Sequence, residues 1–296
     1  MTLKIIKEDL DLFIKVLNAA AAVLDVDGTF LITPKDGITL RSMDRSHSAM
    51  VDLRIRPEHF SDETAEFICD KEYMLTLDIQ HLKKILQRAK KGDKLTISLD
   101  EKNETLNFLF TGLGKRNFIL PLQKKEEEEL PPDSQSLEFN VNSKLKGGAL
   151  TDFIKDASII GGSVKISAEE GKLRFSCVEE RKEVSIEIST DTEGESEALE
   201  ISTDSLNESL YSIETFKNLL LVDQAFSTVG LSFSTEKPLR LSYSESGINL
   251  GYLLAPMRGE DEDDYGSDTT DADEDEEYNN EDDWDDDEDD EEWDDD

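Results

Sequence analysis

Histidine and cysteine are scarce in this chain of 296 residues, with three of the first and two of the second. Neither Cys69 nor Cys177 has another Cys or a His at metal-ligand spacing. They read as reduced, buried thiols of an intracellular protein, and neither a zinc site nor a disulfide framework is expected. His47, His59 and His81 are scattered. The patterns G-x-x-x-x-G-K-[ST], H-E-x-x-H and G-x-S-x-G are missing, which removes the common phosphate-binding loop, the zinc-protease helix and the nucleophile elbow. No enzymatic activity, metal or cofactor is expected. No run approaches the ~18 apolar residues of a membrane span. The opening M-T-L-K-I-I-K-E-D-L carries charge too early for a signal peptide. A soluble protein, with no membrane partner, is the expectation.

Basic residues are missing from one place. From Gly259 onward there are 26 Asp and Glu and no Lys or Arg. The formal charge of −38 therefore divides unevenly. Residues 1–258 hold 44 acidic against 32 basic side chains, net −12, and the rest is a polyanion. Both tryptophans, Trp284 and Trp293, fall in that polyanion, so the folded part must build its core on Leu, Ile, Val and Phe. Low apolar content and no periodicity predict a disordered segment over residues 259–296.

What the chain has is a repeat. Residues 79–86 read I-Q-H-L-K-K-I-L and residues 213–220 read I-E-T-F-K-N-L-L. At the same offset Leu95, Ile97 and Leu99 meet Val229, Leu231 and Phe233. Leu120-Pro121 meets Ala255-Pro256 after one extra residue. Phe13-Ile14-Lys15 matches Phe153-Ile154-Lys155. Four stretches show helical period: Leu10 to Leu17, Leu82 to Ala89, Leu150 to Ala157 and Phe216 to Leu220. Most of the remainder alternates apolar and polar between Gly, Asp, Asn and Pro turns, as strands do. The fold class is α+β: two similar domains of antiparallel sheet with two helices each. Expected boundaries are 1–122 and 137–258, joined by a connector at 123–136, Q-K-K-E-E-E-E-L-P-P-D-S-Q-S. Leu130 is the one apolar residue of that connector apart from its prolines, which favours a contact function over a bare linker.

Lys84, Arg88 and Lys91 are spaced to form one stripe on the second helix, with Lys83 and Lys90 beside it. Lys217 occupies the place of Lys83 on the fourth helix. Lys144 and Lys155 are read on the third helix and Lys15 on the first. Solvated faces with i,i+4 pairs would explain any one helix. Four such faces in a body of net negative charge favour phosphate contact that is independent of base sequence.

Three segments then resemble a known family. They are L-R-S-M-D-R-S-H-S-A-M-V at residues 40–51, L-K-K-I-L-Q-R-A-K-K-G-D at 82–93 and L-L-A-P at 253–256. They are similar to sliding clamps of the proliferating cell nuclear antigen type, the archaeal branch above all, over residues 1–257. The resemblance implies a head-to-tail ring of three subunits around duplex DNA, with helices lining the hole. It implies a processivity factor for DNA polymerase that tethers replication and repair enzymes at the chromosome. A separate clamp-loader ATPase is implied as well. The partner groove it implies comprises Met43, His47, Ser48, Met50, Leu130, Pro131, Pro238, Leu253, Leu254, Ala255 and Pro256. Ser48 replaces the usual valine and Leu253 a common tyrosine. His47 is expected as a satisfied, partly buried side chain. Ring closure is expected between residues 112–120 and a neighbour's residues 173–178, with Arg88, Arg116 and Asp152 as ion-pair candidates. The alternative is a chaperone for basic, nucleic-acid-associated proteins. The acidic segment alone would serve it, and the duplicated body would not be needed.

Overall fold

The computed structural model of the chain describes residues 3–24, 27–124, 131, 133–190 and 196–257. Leu130 and the acidic segment from Gly259 lie outside the described residues.

The first half runs β1 (Leu3–Lys7), α1 (Asp11–Val23), β2 (Asp27–Thr33), β3 (Gly37–Met43), β4 (Ala49–Ile55), β5 (Glu66–Cys69) and β6 (Tyr73–Asp78). It continues with α2 (Ile79–Leu86), β7 (Lys94–Asp100), β8 (Thr105–Thr111) and β9 (Lys115–Pro121). The second half repeats the order: β10 (Val141–Lys146), α3 (Ala149–Ile160), β11 (Ser163–Glu169), β12 (Lys172–Glu179), β13 (Lys182–Ser189), β14 (Ala198–Ser202) and β15 (Asn207–Ser212). After it come α4 (Ile213–Leu219), β16 (Thr228–Phe233), β17 (Leu239–Glu245) and β18 (Ile248–Leu254).

The pairing repeats as well as the order. One sheet runs β5-β1-β7-β8-β9, and its counterpart β14-β10-β16-β17-β18. The other runs β6-β2-β3-β4, and its counterpart β15-β11-β12-β13. All pairs are antiparallel. The repeat differs in one respect. β18 hydrogen-bonds to β4, from Ile248 opposite Ile55 to Leu254 opposite Ala49, fusing two of the four sheets into one of nine strands. The corresponding edges, β9 and β13, each have one strand neighbour among the described residues.

The helices form a layer in the order α2-α1-α4-α3, since α1 packs on both α2 and α4, and α4 on α3. Each turns an apolar face to the sheets. α2 buries Ile79, Leu82 and Leu86, at roughly 1.5–3 kcal/mol for each such side chain. Its capping residue, Asp78, accepts from the His81 amide at 2.8 Å. Ser212, its repeat equivalent, accepts from the Thr215 amide at 3.4 Å at the start of α4. A short polar side chain there answers the orphan amides of a first helical turn in both copies.

Four expectations need correction. Lys144 is on β10, not on a helix. The pair Gly147-Gly148 separates it from α3: Gly148 has φ +95°, and a Cβ on Gly147 would lie 1.8 Å from the Phe226 carbonyl oxygen. Lys90 and Lys91 lie beyond α2, which ends at Leu86 and passes through tight turns at Arg88 and Ala89. Residues 173–178 belong to β12, whose two edges are already taken by β11 and β13. The open strand of that sheet is β13. The repeat also needs no extra residue: Leu120 and Leu254 hold the same ladder position, opposite Leu106 and Leu239.

Candidate nucleic-acid interface and partner groove

Positive charge on the helix layer is concentrated at one end. Lys83 and Lys84 ride on α2, and Arg88, Lys90 and Lys91 follow in the turn that leads to β7. All but the half-buried Lys83 are exposed. On α1, Lys15 pairs with Asp11 at 2.6 Å. On α3, Lys155 pairs with Asp152 at 3.3 Å, and Asp156 adds a further negative charge. On α4, Lys217 shares its helix with Glu214. Acidic neighbours thus offset the lysines of α1, α3 and α4, and among the described residues of the helix layer positive charge is densest on α2 and the turn after it. Asp152 is spent on Lys155, and Arg116 pairs with Asp93 of its own chain. The Arg116 guanidinium also donates to the Arg88 carbonyl at 2.5 Å. Burial opposes ionisation of Asp93, but the Lys90 amide and Arg116 outweigh it and hold the carboxyl below its usual pKa. Arg116 thereby fixes the turn that displays the cationic patch.

The outer face of the nine-stranded sheet carries the other site. Side chains of a strand alternate between faces, and register places Met43 beside Met50, Met50 beside Leu253, and Leu253 beside Arg240. Met50 is 4% exposed yet stands outside the core cluster, as expected for a side chain on this outer face. Leu254 points the other way, into the core, at 1% exposure; period-2 alternation forbids it to share a face with Leu253. Ala255 and Pro256 are half-buried, and the Ala255 amide donates to the Ser48 carbonyl at 2.8 Å. Pro238 is half-buried just before β17.

Ser48 is committed to a turn. Its hydroxyl donates to Asp44 Oδ2 at 2.8 Å, and the Ala49 amide donates to Asp44 Oδ1 at 2.9 Å. Burial opposes ionisation of Asp44, but the bonds from Ala49, Ser46 and Ser48 win and lower its pKa. His47 is exposed at φ +54° in this turn, rather than partly buried as expected. A positive φ costs any side chain with a Cβ, so the Asp44 bonds hold a strained rim in place.

A charged clasp, unread in the sequence, fastens the connector over this face. Asp52, 4% exposed, holds Arg41 at 3.4 Å and Arg54 at 3.2 Å. Arg54 also reaches Asp133 at 2.6 Å, and Arg41 donates to the Pro131 carbonyl at 3.1 Å. Arg240 donates to the carbonyls of Ser134 and Leu137 at 3.4 and 3.3 Å, with its guanidinium over the Phe139 ring. The one sequence signal was Asp52 itself, a carboxylate inside the strand A-M-V-D-L-R-I. Its cationic partners stand on β3 and on its own strand, while its connector partner, Ser134, is 82 residues away.

Among the described residues no group of three or more His, Cys, Asp or Glu could hold a metal ion, and no helix is long and apolar enough to cross a membrane.

The family model for the N-terminal domain of proliferating cell nuclear antigen matches residues 5–121. The DNA polymerase sliding clamp of Thermococcus gammatolerans is 31% identical over 242 residues, covering 81% of this chain and 92% of its own length. That of Nanoarchaeum equitans is 33% identical over 245 residues, covering 82% and 95%. Among solved structures, a PCNA2–PCNA3 complex of Sulfolobus tokodaii matches with a TM-score of 0.74 at 27% identity, over 86% of this chain and 99% of that one. The fold of PCNA from Thermococcus kodakaraensis matches with a TM-score of 0.75 at 23% identity, over 86% and 100%. The twice-written topology, the similarity over both halves and the absence of catalytic chemistry in the family lead to one conclusion: the chain belongs to the DNA polymerase sliding clamps of the proliferating cell nuclear antigen family, archaeal in its affinities.

Proposed function

We propose that this protein is a DNA polymerase processivity factor that acts as a closed ring of three copies around duplex DNA. One observation carries the reading: the repeat closes a β18–β4 joint inside the chain and leaves the equivalent edges, β9 and β13, open. A joint that works once can work again between copies, and head-to-tail repetition through a closing rotation gives a ring. It also covers two strand edges that would otherwise invite uncontrolled pairing. Transferring the β18–β4 register to β9 and β13 sets Phe118 opposite Val184, Asn117 opposite Ser185, and Lys115 opposite Glu187. By the same symmetry, α2 of one copy packs beside α3 of the next.

Residues 1–122 and 137–258 act as the two modules of each copy, with 123–136 as the connector between them. Lys83, Lys84, Arg88, Lys90 and Lys91 meet the phosphates, and Lys15, Lys155 and Lys217 contribute less because acidic neighbours offset them. Such contacts are independent of sequence and weaken with salt. Encirclement supplies the grip, so weak contacts suffice and leave the ring free to slide. Polymerases and other enzymes dock short peptides on Met43, Met50, Leu253, Ala255, Pro256 and Pro238, beside the connector with Pro131 and Leu130. His47 and Ser48 form the rim. A separate ATPase opens the ring. The test is retention: after loading, the protein should stay on circular DNA and run off linear DNA of the same length. Equal loss from both would end the reading.

A further inference from the structure

Beneath the connector, beside the partner groove, lies a second, polar cavity of about 330 Å³. It exists because of a glycine. Asp52, Gly251 and Ser242 stand side by side across β4, β18 and β17. A Cβ on Gly251 would lie 2.9 Å from Ser134 Oγ, so the connector crosses directly above it. The missing side chain leaves a hollow lined by Arg54, Arg240, Ser242 and Asn249, with Asp52 and Ser134 at one wall.

Among the described residues the charges around this hollow do not balance. Asp52 and Asp133 face three guanidinium groups, those of Arg41, Arg54 and Arg240. Arg41 and Arg54 have carboxylate partners. Arg240 has none among the described residues. Its two hydrogen bonds go to neutral carbonyls through one nitrogen, while its Nε is buried and unbonded. Tethering the connector explains the two carbonyl bonds and the stacking on Phe139. It leaves Nη2, like the buried Nε, without a hydrogen bond among the described residues, in a body of net negative charge. Buried polar groups without partners are rare, and an ion or water is the usual answer. A cavity of this size is several times a water's share of liquid volume, ~30 Å³. A guanidinium offers its N–H groups as a planar fork that suits carboxylate and phosphate.

We propose that this cavity is a binding site for a small oxyanion, held by Arg240 with Ser242 and Asn249. Bound there, the anion neutralises Arg240 and ties β17 to the connector. The site therefore stiffens the wall of the partner groove, since Arg240 sits in register beside Leu253.

The experiment is thermal unfolding of the full chain in phosphate, acetate or chloride at matched ionic strength, read with the Nε–Hε resonance of Arg240. A saturable rise in Tm over chloride, with movement of that resonance, is expected. A response to phosphate alone assigns a tetrahedral anion; an equal response to acetate assigns a carboxylate. Arg240→Gln should weaken the half-effect concentration by at least about tenfold, which is ~1.4 kcal/mol. Because that variant also loosens the connector, Ser242→Asp serves as the second. It takes no part in the clasp and supplies a carboxylate to Arg240 from within. It should unfold at a higher temperature than the parent in chloride and lose the phosphate response. If neither anion exceeds chloride, the site is not there. If both variants respond as the parent does, phosphate acts as an adventitious ion only, and the proposal falls.

Discussion

Ser134 Oγ donates to Asp52 Oδ2 across 3.0 Å, and the Ser134 amide points at the same oxygen from 3.3 Å. This contact lays the connector onto the seam where β4 and β18 join the two halves. Asp52 also carries Arg41 and Arg54, so one buried carboxylate organises the connector, two cations and the seam. Replacing it by Ala leaves Arg41 without its carboxylate and Arg54 with Asp133 alone. Removing one partner of a buried ion pair leaves an uncompensated charge, and here a loss of about 2–4 kcal/mol is expected. Chemical denaturation would measure it. Peptide affinity at the groove should fall in the same variant, since Pro131 and Asp133 lose their anchors.

The cationic patch makes a second prediction. Lys84→Glu with Arg88→Glu should reduce DNA binding and loading, and should flatten the salt dependence of what remains. Lys15→Glu with Lys155→Glu should do less, because Asp11 and Asp152 already offset those charges. Binding by filter or anisotropy at several salt concentrations would decide. Equal effects of the two pairs would mean that charge on the first half is not concentrated where the structure places it.

Much of this architecture is legible in the residues, and the failures have physical causes. The repeat exposed two helices per half because periodicity of 3.6 against 2 survives in single sequences. The spacing of Lys144 and Lys155 mimics a helix face, but Gly147 is there to let the backbone approach Phe226, and the helix begins only after it. Leu254 looked like a groove residue because it lies within L-L-A-P, yet strand alternation sends it inward. The segment expected to close the ring, residues 173–178, lies one strand short of the open edge. β12 and β13 are both amphipathic, and only the ladder reveals which has an open edge. The Asp52 clasp was invisible because its members meet through sheet register and the connector's path, not through spacing along the chain.

Ring closure can be tested by covalent trapping. Asn117 and Ser185 are both exposed, and the transferred register sets them opposite each other. Directly opposed residues in an antiparallel ladder lie about 4.5–5.5 Å apart at Cα, inside the range a disulfide spans. The Asn117→Cys/Ser185→Cys chain should give a covalent trimer on mild oxidation, and each single variant should not. Cys69 and Cys177 are free in the parent, which serves as the control. A register shift would trap Phe118→Cys with Ser185→Cys instead.

His59 should make the protein acid-sensitive. Its Nδ1 lies 2.8 Å from the Ser246 carbonyl, so the segment after β4 is held to the β17–β18 turn. Burial lowers its pKa, and the nearby Lys7 lowers it further, while the Ser246 carbonyl works the other way. A histidine with a depressed folded pKa stays neutral while the unfolded chain, titrating near 6.5, takes up a proton. Stability is therefore full above about pH 6.5 and falls as pH drops toward the depressed value. His59→Phe packs against Phe13 and Phe60 without a titrating group. Its unfolding free energy should depend less on pH between about 6.5 and 5, whatever its absolute value.

Asp223 should act with the opposite sign. It is fully buried and accepts the Thr151 amide at 3.0 Å and hydroxyl at 2.9 Å in the first turn of α3. Its other oxygen makes no hydrogen bond among the described residues. Burial raises its pKa above the usual 3.8, against the lowering effect of the Thr151 bonds, the Gly148 backbone and the Tyr243 hydroxyl. For an acid with a raised folded pKa, the native state holds the proton that the unfolded chain has released. Its contribution is complete below about pH 3.8 and is lost as pH rises through the folded value. At neutral pH the ionised carboxylate is a cost that the α3 cap only partly offsets. Asn at this position keeps an oxygen for the Thr151 amide and removes the charge. Asp223→Asn should therefore be equal to or more stable than the parent at pH 7, by up to about 1 kcal/mol. It should lose that advantage as pH falls toward 4. Asp223→Ala deletes the cap as well and should be less stable than Asp223→Asn at every pH. Unfolding midpoints for the three chains across pH 4–8 would separate the charge from the hydrogen bond, and an Asn variant weaker than the parent at pH 7, with a deficit that shrinks as pH falls, would show that the carboxylate is needed ionised.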